Sequence, residues 1–336
     1  MQPQHFAALA SAAAVSLVTA LAVYTSHAPW VGNPAGGGKL LPSLAARTQD
    51  ITSIAITQGG KTLTLERKGD RWSLRERDGF PASNDKIRAL LIGLAEADLL
   101  EPKTRNKDRY PLLDLEEPSS ANGRSRLIRI MDASGRLLGE TIAGKGSPDQ
   151  LAGKSGTYVR KPGDAQSWLA STAITGGTSL GDWTQPRVFE TATEAVSRLT
   201  IELTGEAPYD IKRDGDQHVL ADIPPGKKIK FINATDTMVE AASFLDFEDV
   251  RKAEGDTTGS AGQAVIEAAN GLKITMKIRR DKDATWATLS AQGDGEAKKA
   301  VDEINSRAAG WEFRILPSKA NTILKRRDDL LEDAAS

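Results

Sequence analysis

Ile51, Ile54 and Ile56 lie in a β-branched run, and Leu63 and Leu65 alternate with Thr62, Thr64 and Glu66, the period of two that half-buried strands carry. The pattern predicts a hairpin. Lys68-Gly69-Asp70 interrupts it, because glycine takes positive φ at little steric cost, and Trp72-Ser73-Leu74 resumes it as a third strand. After Pro81 the period changes. Ser83-Asn84-Asp85 can cap a helix with an apolar face of Ile87, Leu90, Leu91 and Leu94, and Pro102 is its expected stop.

The same order returns in the second half of the chain. Val196–Ile201, Tyr209–Asp216 and His218-Val219-Leu220 repeat the strands and the turn: Leu63 answers to Tyr209, Leu65 to Ile211, Arg67 to Arg213, Gly69 to Gly215 and Leu74 to Leu220. A second helix around Thr235–Leu245 presents Met238, Val239, Ala242 and Leu245, and Leu245-Asp246-Phe247 stands where the first copy has Ala97-Asp98-Leu99. Self-similarity at a nearly constant offset predicts a duplication of Ile51–Leu100 at Val196–Phe247.

Between and after the copies, Tyr110–Pro118 is a proline-bounded connector. Hairpins are predicted at Leu127–Met131 with Leu137–Ala143, and at Ala264–Glu267 with Leu272–Ile278 across an Asn270-Gly271 turn. Further strands are expected at Thr157-Tyr158-Val159, Ser167-Trp168-Leu169, Thr285–Leu289 and Trp311–Ile315, with helices over Glu296–Ala308 and from Pro317 to about Leu331. The expected fold is α+β: two tandem duplicated modules, 46–185 and 186–336, each a mainly antiparallel β-meander plus helix.

Phe6–Tyr24 has no charged residue, and its nineteen residues would rise about 28 Å as a helix at about 1.5 Å each, close to the thickness of a bilayer's hydrocarbon core. It predicts an N-terminal transmembrane helix. Met1–His5 lacks the Lys or Arg that fixes orientation, and Ser26-His27-Ala28 leaves a cleaved signal peptide open as the alternative. Residues 1–28 are thus anchor or signal, with contact to the lipid bilayer through Phe6–Tyr24, and 29–45, with its glycines, is an expected flexible linker. Either reading puts the bulk of the chain outside the cytoplasm.

Composition then narrows the classes of function. The 336 residues, 39% hydrophobic and 26% charged, suit two ordinary globular domains. Forty-four basic against forty-five acidic residues leave no surplus to draw the chain onto nucleic acid. The absence of cysteine removes disulfides, thiolate nucleophiles and Cys-based zinc sites together.

Leu40-Leu41-Pro42, Gly60-Lys61-Thr62-Leu63, Gly69-Asp70-Arg71-Trp72, Pro102-Lys103-Thr104, the Tyr110–Pro118 connector, Gly156-Thr157-Tyr158-Val159 and the Trp311-x-Phe313 end resemble bacterial envelope proteins grouped as domain of unknown function 4340. The resemblance covers nearly all of the chain after the anchor. It implies a single-pass protein of the bacterial inner membrane, its bulk periplasmic. It also implies an accessory role beside the membrane and auxiliary subunits of an ABC-type transporter of the gliding-motility type. No catalytic residues come with it. The second copy departs most, with His218 in the place of Trp72 and Pro224-Pro225-Gly226 before its helix.

Gly139–Gly146 matches a phosphate-binding loop through Lys145, but Gly146 stands where Ser or Thr should hold magnesium; Gly153-Lys154-Ser155 has that tail but Pro148 in the place of the first glycine. His5, His27 and His218 are too scattered for a metal site or a triad, and Asp214/Asp216, Asp281/Asp283 and Asp294/Glu296 read as solvated turn carboxylates. No cofactor is expected. The sequence therefore predicts a non-enzymatic accessory or scaffold protein, whose closing helix could dock a partner through Leu324, Leu330 and Leu331. The alternative is a module binding an envelope glycan or peptide in a groove between the two halves, with Trp72, Tyr158, Trp168 and Trp183 as its aromatics.

Overall fold

The computed structural model describes residues 36–147, 156–253, 255, 259–282 and 284–334. Phe6–Tyr24, the cleavage-like Ser26-His27-Ala28 and Gly153-Lys154-Ser155 lie outside them. Among the described residues no helix is long and apolar enough to cross a membrane. The protein is α+β and mainly antiparallel, and its described residues divide into two compact units, the first holding those of 36–64 and 87–178, the second those of 65–86 and from 179 to 334.

The elements of the first half, in chain order, are β1 (Gly38–Lys39), β2 (Ile51–Gln58), β3 (Lys61–Lys68), β4 (Arg71–Leu74), β5 (Phe80–Pro81), α1 (Asn84–Glu96), β6 (Asp98–Pro102), β7 (Arg126–Asp132), β8 (Leu137–Gly146), β9 (Thr157–Arg160) and β10 (Ser167–Ala170). In the first unit the strands run in the order β1-β6-β10-β9-β8-β7-β2-β3. The register pairs Ile54 with Ile130 and Ile56 with Ile128, so four isoleucines share one buried face. The Asp132–Arg136 turn joins β7 to β8. The Asp132 carboxylate accepts from the Ser134 hydroxyl at 2.6 Å and from the Ser134 and Arg136 amides at 3.0 Å each. These bonds, the Ser134 hydroxyl's first, outweigh burial and bring its pKa down to about 2. Within the linker expected over 29–45, Gly38–Lys39 instead pairs with β6, and Leu40, Leu41 and Leu44 are buried.

The connector carries a satellite core of Tyr110, Leu115, Ile142, Tyr158 and Leu169. Arg160 is buried with its guanidinium 4.7 Å over the Tyr110 ring and donates to Glu117 at 2.9 Å. The connector accounts for Gly144 in the glycine-rich tract 139–146. A Cβ on Gly144 would collide with the Leu113 carbonyl oxygen and lie 2.8 Å from that of Asp114, so glycine is there to let β8 meet the connector's backbone. Gly139 faces only the Leu41 side chain, at 3.2 Å. We therefore expect Gly144→Ala to cost about 1–3 kcal/mol, as overpacking against immovable backbone does, and Gly139→Ala less, because Leu41 can yield. Urea midpoints for the two variants check this; equal midpoints contradict it.

The second half contributes β11 (Arg187–Glu190), β12 (Val196–Leu203), β13 (Tyr209–Asp214), β14 (Gln217–Leu220), β15 (Lys227–Ile229), α2 (Ala234–Ala242), β16 (Phe244–Asp246), β17 (Asp249–Lys252), β18 (Ser260–Ala268), β19 (Lys273–Asp281), β20 (Ala284–Gln292), α3 (Lys298–Ala308), β21 (Trp311–Ile315), α4 (Pro317–Ile323) and β22 (Leu331–Asp333). An eight-stranded sheet runs β14-β13-β12-β18-β19-β20-β21-β17, beside the pairs β11-β16 and β15-β22. The α3 helix is clamped to β20 by Asn305, whose side chain donates to the Ala291 carbonyl and accepts from its amide, both at 2.8 Å. His218 is buried on β14, its ring nitrogens 3.1 Å from the Asp236 carboxylate and the Val196 carbonyl.

Residues 65–86 and 179–185 pack with this second unit, whereas a boundary at 185/186 was expected from the repeat. The reason is an aromatic cluster. The Phe80 ring lies 4.9 Å from Trp311, 5.7 Å from Phe247 and 6.2 Å from Phe313, all near edge-to-face. Arg77 adds an ion pair to Asp249 at 2.5 Å, and the Ser83 amide donates to the Trp183 carbonyl at 2.7 Å.

Two helices end sooner than their apolar spacing suggests. The helix expected around Thr235–Leu245 stops at Ala242, and Leu245 lies in β16. The closing helix stops at Ile323, because Leu324 leaves helical φ/ψ; a 3₁₀ turn at Arg327–Leu330 and strand β22 follow.

Candidate functional site

The second unit contains a cleft of about 220 Å³. Its floor is apolar, made of Phe80, Val188, Phe247 and Phe313, all buried. Hydroxyls of Ser83, Thr184 and Ser306 and the amide of Gln185 stand around it. A shallower recess of about 450 Å³ adds Lys86, Phe189 and Glu190, and Thr184, Gln185, Arg187 and Arg307 border both. Five separate stretches of sequence converge here, which the fold achieves by seating β5 on the aromatic cluster.

The rim is cationic, but its charges are not equally available. Arg187 donates to both Asp246 oxygens at 2.8 and 2.9 Å and pairs with Glu190 at 2.7 Å, which raises its own pKa and holds Asp246 below the usual carboxylate range. Lys86 spends its amine on the carbonyls of Gly181 and Thr184, at 2.7 and 2.9 Å. Arg307 makes only long bonds, 3.4 and 3.5 Å, to the carbonyls of Arg187 and Val188, and among the described residues it has no carboxylate partner. It is the cation a ligand would meet.

Behind the rim, the Arg187 guanidinium lies 4.8 Å and the Lys319 amine 3.4 Å over the Phe244 ring. The Lys319 nitrogen is buried without a hydrogen-bond partner. Burial first, then the Arg187 charge, push its pKa down from 10.5 to about 8, against the pull of Asp246 and Glu240. The folded protein releases this proton near pH 8 and the unfolded chain near pH 10.5. Stability from this group therefore rises with pH across that window, and the cost of the buried charge is fully present below it. Lys319→Met keeps a flexible apolar stem over Phe244. Its urea midpoint is expected to exceed that of the parent at pH 7, and the gain to shrink toward pH 10; a lower midpoint at pH 7 contradicts the assignment.

A second recess of about 210 Å³ is lined by Lys277, Arg279, Trp286, Thr288 and Glu312. Glu312 is only 3% exposed and accepts from Arg279 at 2.8 and 2.9 Å and from Arg251 at 2.9 Å. Burial alone would raise its pKa; the two guanidiniums prevail and hold it below the ordinary glutamate value. Arg251 also stacks 3.9 Å over Trp286. These charges are closed on one another. Among the described residues no group of three or more His, Asp or Glu is placed to hold a metal ion. Asp281, one of the turn carboxylates, faces Arg251 at 3.5 Å and Arg279 at 4.0 Å.

The residues singled out from sequence are placed elsewhere. Trp72 and Trp183 are buried in the second unit; in the first, Tyr158 is buried in the satellite core and Trp168 is half-buried on β10. Leu324 and Leu330 are buried in the second unit's own core, and Leu331 is half-buried in β22. The cleft residues Arg187, Val188 and Arg307 carry no motif, so no local signal marks them.

A family described as Domain of unknown function (DUF4340) matches residues 72–263, more than half of the chain. The chain belongs to that family. No curated protein and no solved structure was found to match it. The match begins on β4 and ends on β18, and so takes in parts of both units.

Proposed function

We propose that this DUF4340 chain is a non-enzymatic accessory or scaffold protein, moored by Phe6–Tyr24 to the bacterial inner membrane, its bulk periplasmic, beside an ABC-type transport system. The observation that carries this reading is how the buried ionisable groups are used. Glu312 and His218 are spent on internal partners, as is the half-exposed Asp246, whereas the cleft offers apolar floor and the available Arg307. That is a surface for holding something. A duplication fits such a part: β6-β10-β9-β8-β7-β2-β3 in one half and β17-β21-β20-β19-β18-β12-β13 in the other have the same antiparallel order. On this view an extended segment of a transporter subunit lies in the cleft. Affinity purification from gently solubilised membranes should recover transporter subunits with the parent and fewer with Arg307→Glu. Recovery of the protein alone sinks the proposal.

The second reading, an envelope-ligand module, draws on the same cleft. A free peptide ending in an apolar residue suits it, side chain on the phenylalanines and carboxylate on Arg307. A glycan suits it less, because sugars stack on open aromatic faces and Trp72, Tyr158 and Trp183 are buried. Peptides bound with no transporter subunit present favour this alternative.

A further inference from the structure

The connection from β14 to α2 exposes a pair of large apolar side chains, Phe231 at 56% and Ile232 at 84%. The exposure is built in. The strand β15 just before them pairs with β22 in the register Lys227↔Asp333, Lys228↔Glu332 and Ile229↔Leu331, and the Lys230 amide donates to the Leu330 carbonyl at 2.8 Å. Just after them the α2 helix begins, with the Ala234 amide donating to the Phe231 carbonyl at 3.0 Å. Turning either side chain inward would undo a ribbon or a helix start. Ile232 forgoes most of the about 1.5–3 kcal/mol that full burial would bring, and the half-exposed Phe231 a part of it.

We propose that the Phe231–Ile232 tip is a membrane-docking wedge, which seats in the interfacial layer of an anionic bilayer. It rests on the membrane mooring proposed above. A side chain as exposed as Ile232 projects, and a projecting apolar tip suits a deformable apolar medium. Asp333, Glu332 and Asp328 offset most of the positive charge around it, and one lysine is left for an anionic headgroup. Lys227, Lys228 and Lys230 line the ribbon; Lys227 and Lys228 are paired with Asp333 and Glu332, and Lys230, without a carboxylate partner among the described residues, holds its amine 5.4 Å over the Phe231 ring. Aromatic, β-branched and lysine side chains together are the set that divides between acyl chain and headgroup. Two side chains would hold an untethered protein to lipid only weakly. On a chain already moored, the second contact is intramolecular and needs little affinity.

The chain has no cysteine, so Ile232→Cys supplies a unique labelling site in the full-length protein. The experiment attaches an environment-sensitive fluorophore there, reconstitutes the chain in phosphatidylcholine vesicles containing phosphatidylglycerol, and adds lipids carrying a nitroxide quencher near the headgroup. A second sample carries the dye at Lys299→Cys, an exposed site on α3. We expect a blue shift and loss of most of the emission at 232, and little of either at 299. No lipid quenching at 232 overturns the wedge, including a blue shift without quenching, which would place a protein partner or a second copy on the tip. Equal quenching at both sites overturns it too. Vesicle flotation of the same samples reports the mooring: a chain that floats but is unquenched at 232 sinks the wedge alone, and one that does not float sinks both.

Discussion

Replacing Glu312 with alanine is expected to destabilise the second unit by roughly 3–5 kcal/mol, the cost of removing one member of a buried charge cluster. Glu312 sits on β21 opposite Arg251 of β17, and Arg279 reaches it from β19, so one carboxylate closes two guanidiniums from two other strands. Without it, Arg251 and Arg279 repel each other, with Asp281 at 3.5 and 4.0 Å from them as a weaker counter-charge. Glu312→Gln keeps an acceptor and the shape and should lose less, about 1–3 kcal/mol. Because the folded-state pKa lies below that of the unfolded chain, the carboxylate's contribution is fully present above the ordinary glutamate range and disappears as the pH falls through the folded value. The gap between parent and Glu312→Gln in urea midpoint should therefore narrow in acid. A Glu312→Ala protein with the parent's midpoint at pH 7 would show that the cluster is ornamental.

The same residue shows what the amino-acid sequence makes legible. In Trp311-Glu312-Phe313-Arg314-Ile315 the period of two marks a strand, and β21 forms there. The period implies that Glu312 faces water, and instead both faces of the strand are covered, one by Phe80 and Phe247 packed on Phe313 and the other by the arginines and Trp286. Alternation reports that faces differ; it does not report what a strand several segments away lays over the polar one. The hairpins β7-β8 and β18-β19 are legible because both strands and the turn are local. The short strands β11, β15, β16 and β22 are not, since each exists only through a partner more than fifty residues distant or lacks room for a period. The cleft is illegible for the same reason. Its floor joins residue 80 to residues 247 and 313, and no pattern within a window of a dozen residues carries that join.

Phe80→Ala tests that join directly. The ring is 8% exposed and meets three others, and its loss should cost about 3–5 kcal/mol, as truncating a buried phenylalanine does. The effect should be local before it is global. Residues 65–86 are kept on the second unit by Phe80, by the Arg77–Asp249 pair, by the Lys252 amide donating to Asp78 at 3.4 Å and, at the segment's far end, by the bonds of Ser83 and Lys86 to the carbonyls of Trp183, Gly181 and Thr184. The ion pair is partly exposed and contributes about 0–1 kcal/mol, so the ring is the main fastening. Under native conditions trypsin should therefore cut at Arg71, Arg75 or Arg77 far faster in Phe80→Ala than in the parent, while Arg77→Ala, which spares the ring, should change the rate at Arg71 and Arg75 only slightly. The opposite order would mean that charge holds the segment. The cleft loses part of its floor in the first variant and keeps it in the second. Partner recovery from membranes should fall with Phe80→Ala and persist with Arg77→Ala, which ties the aromatic cluster that shapes the unit to the surface proposed to carry its role.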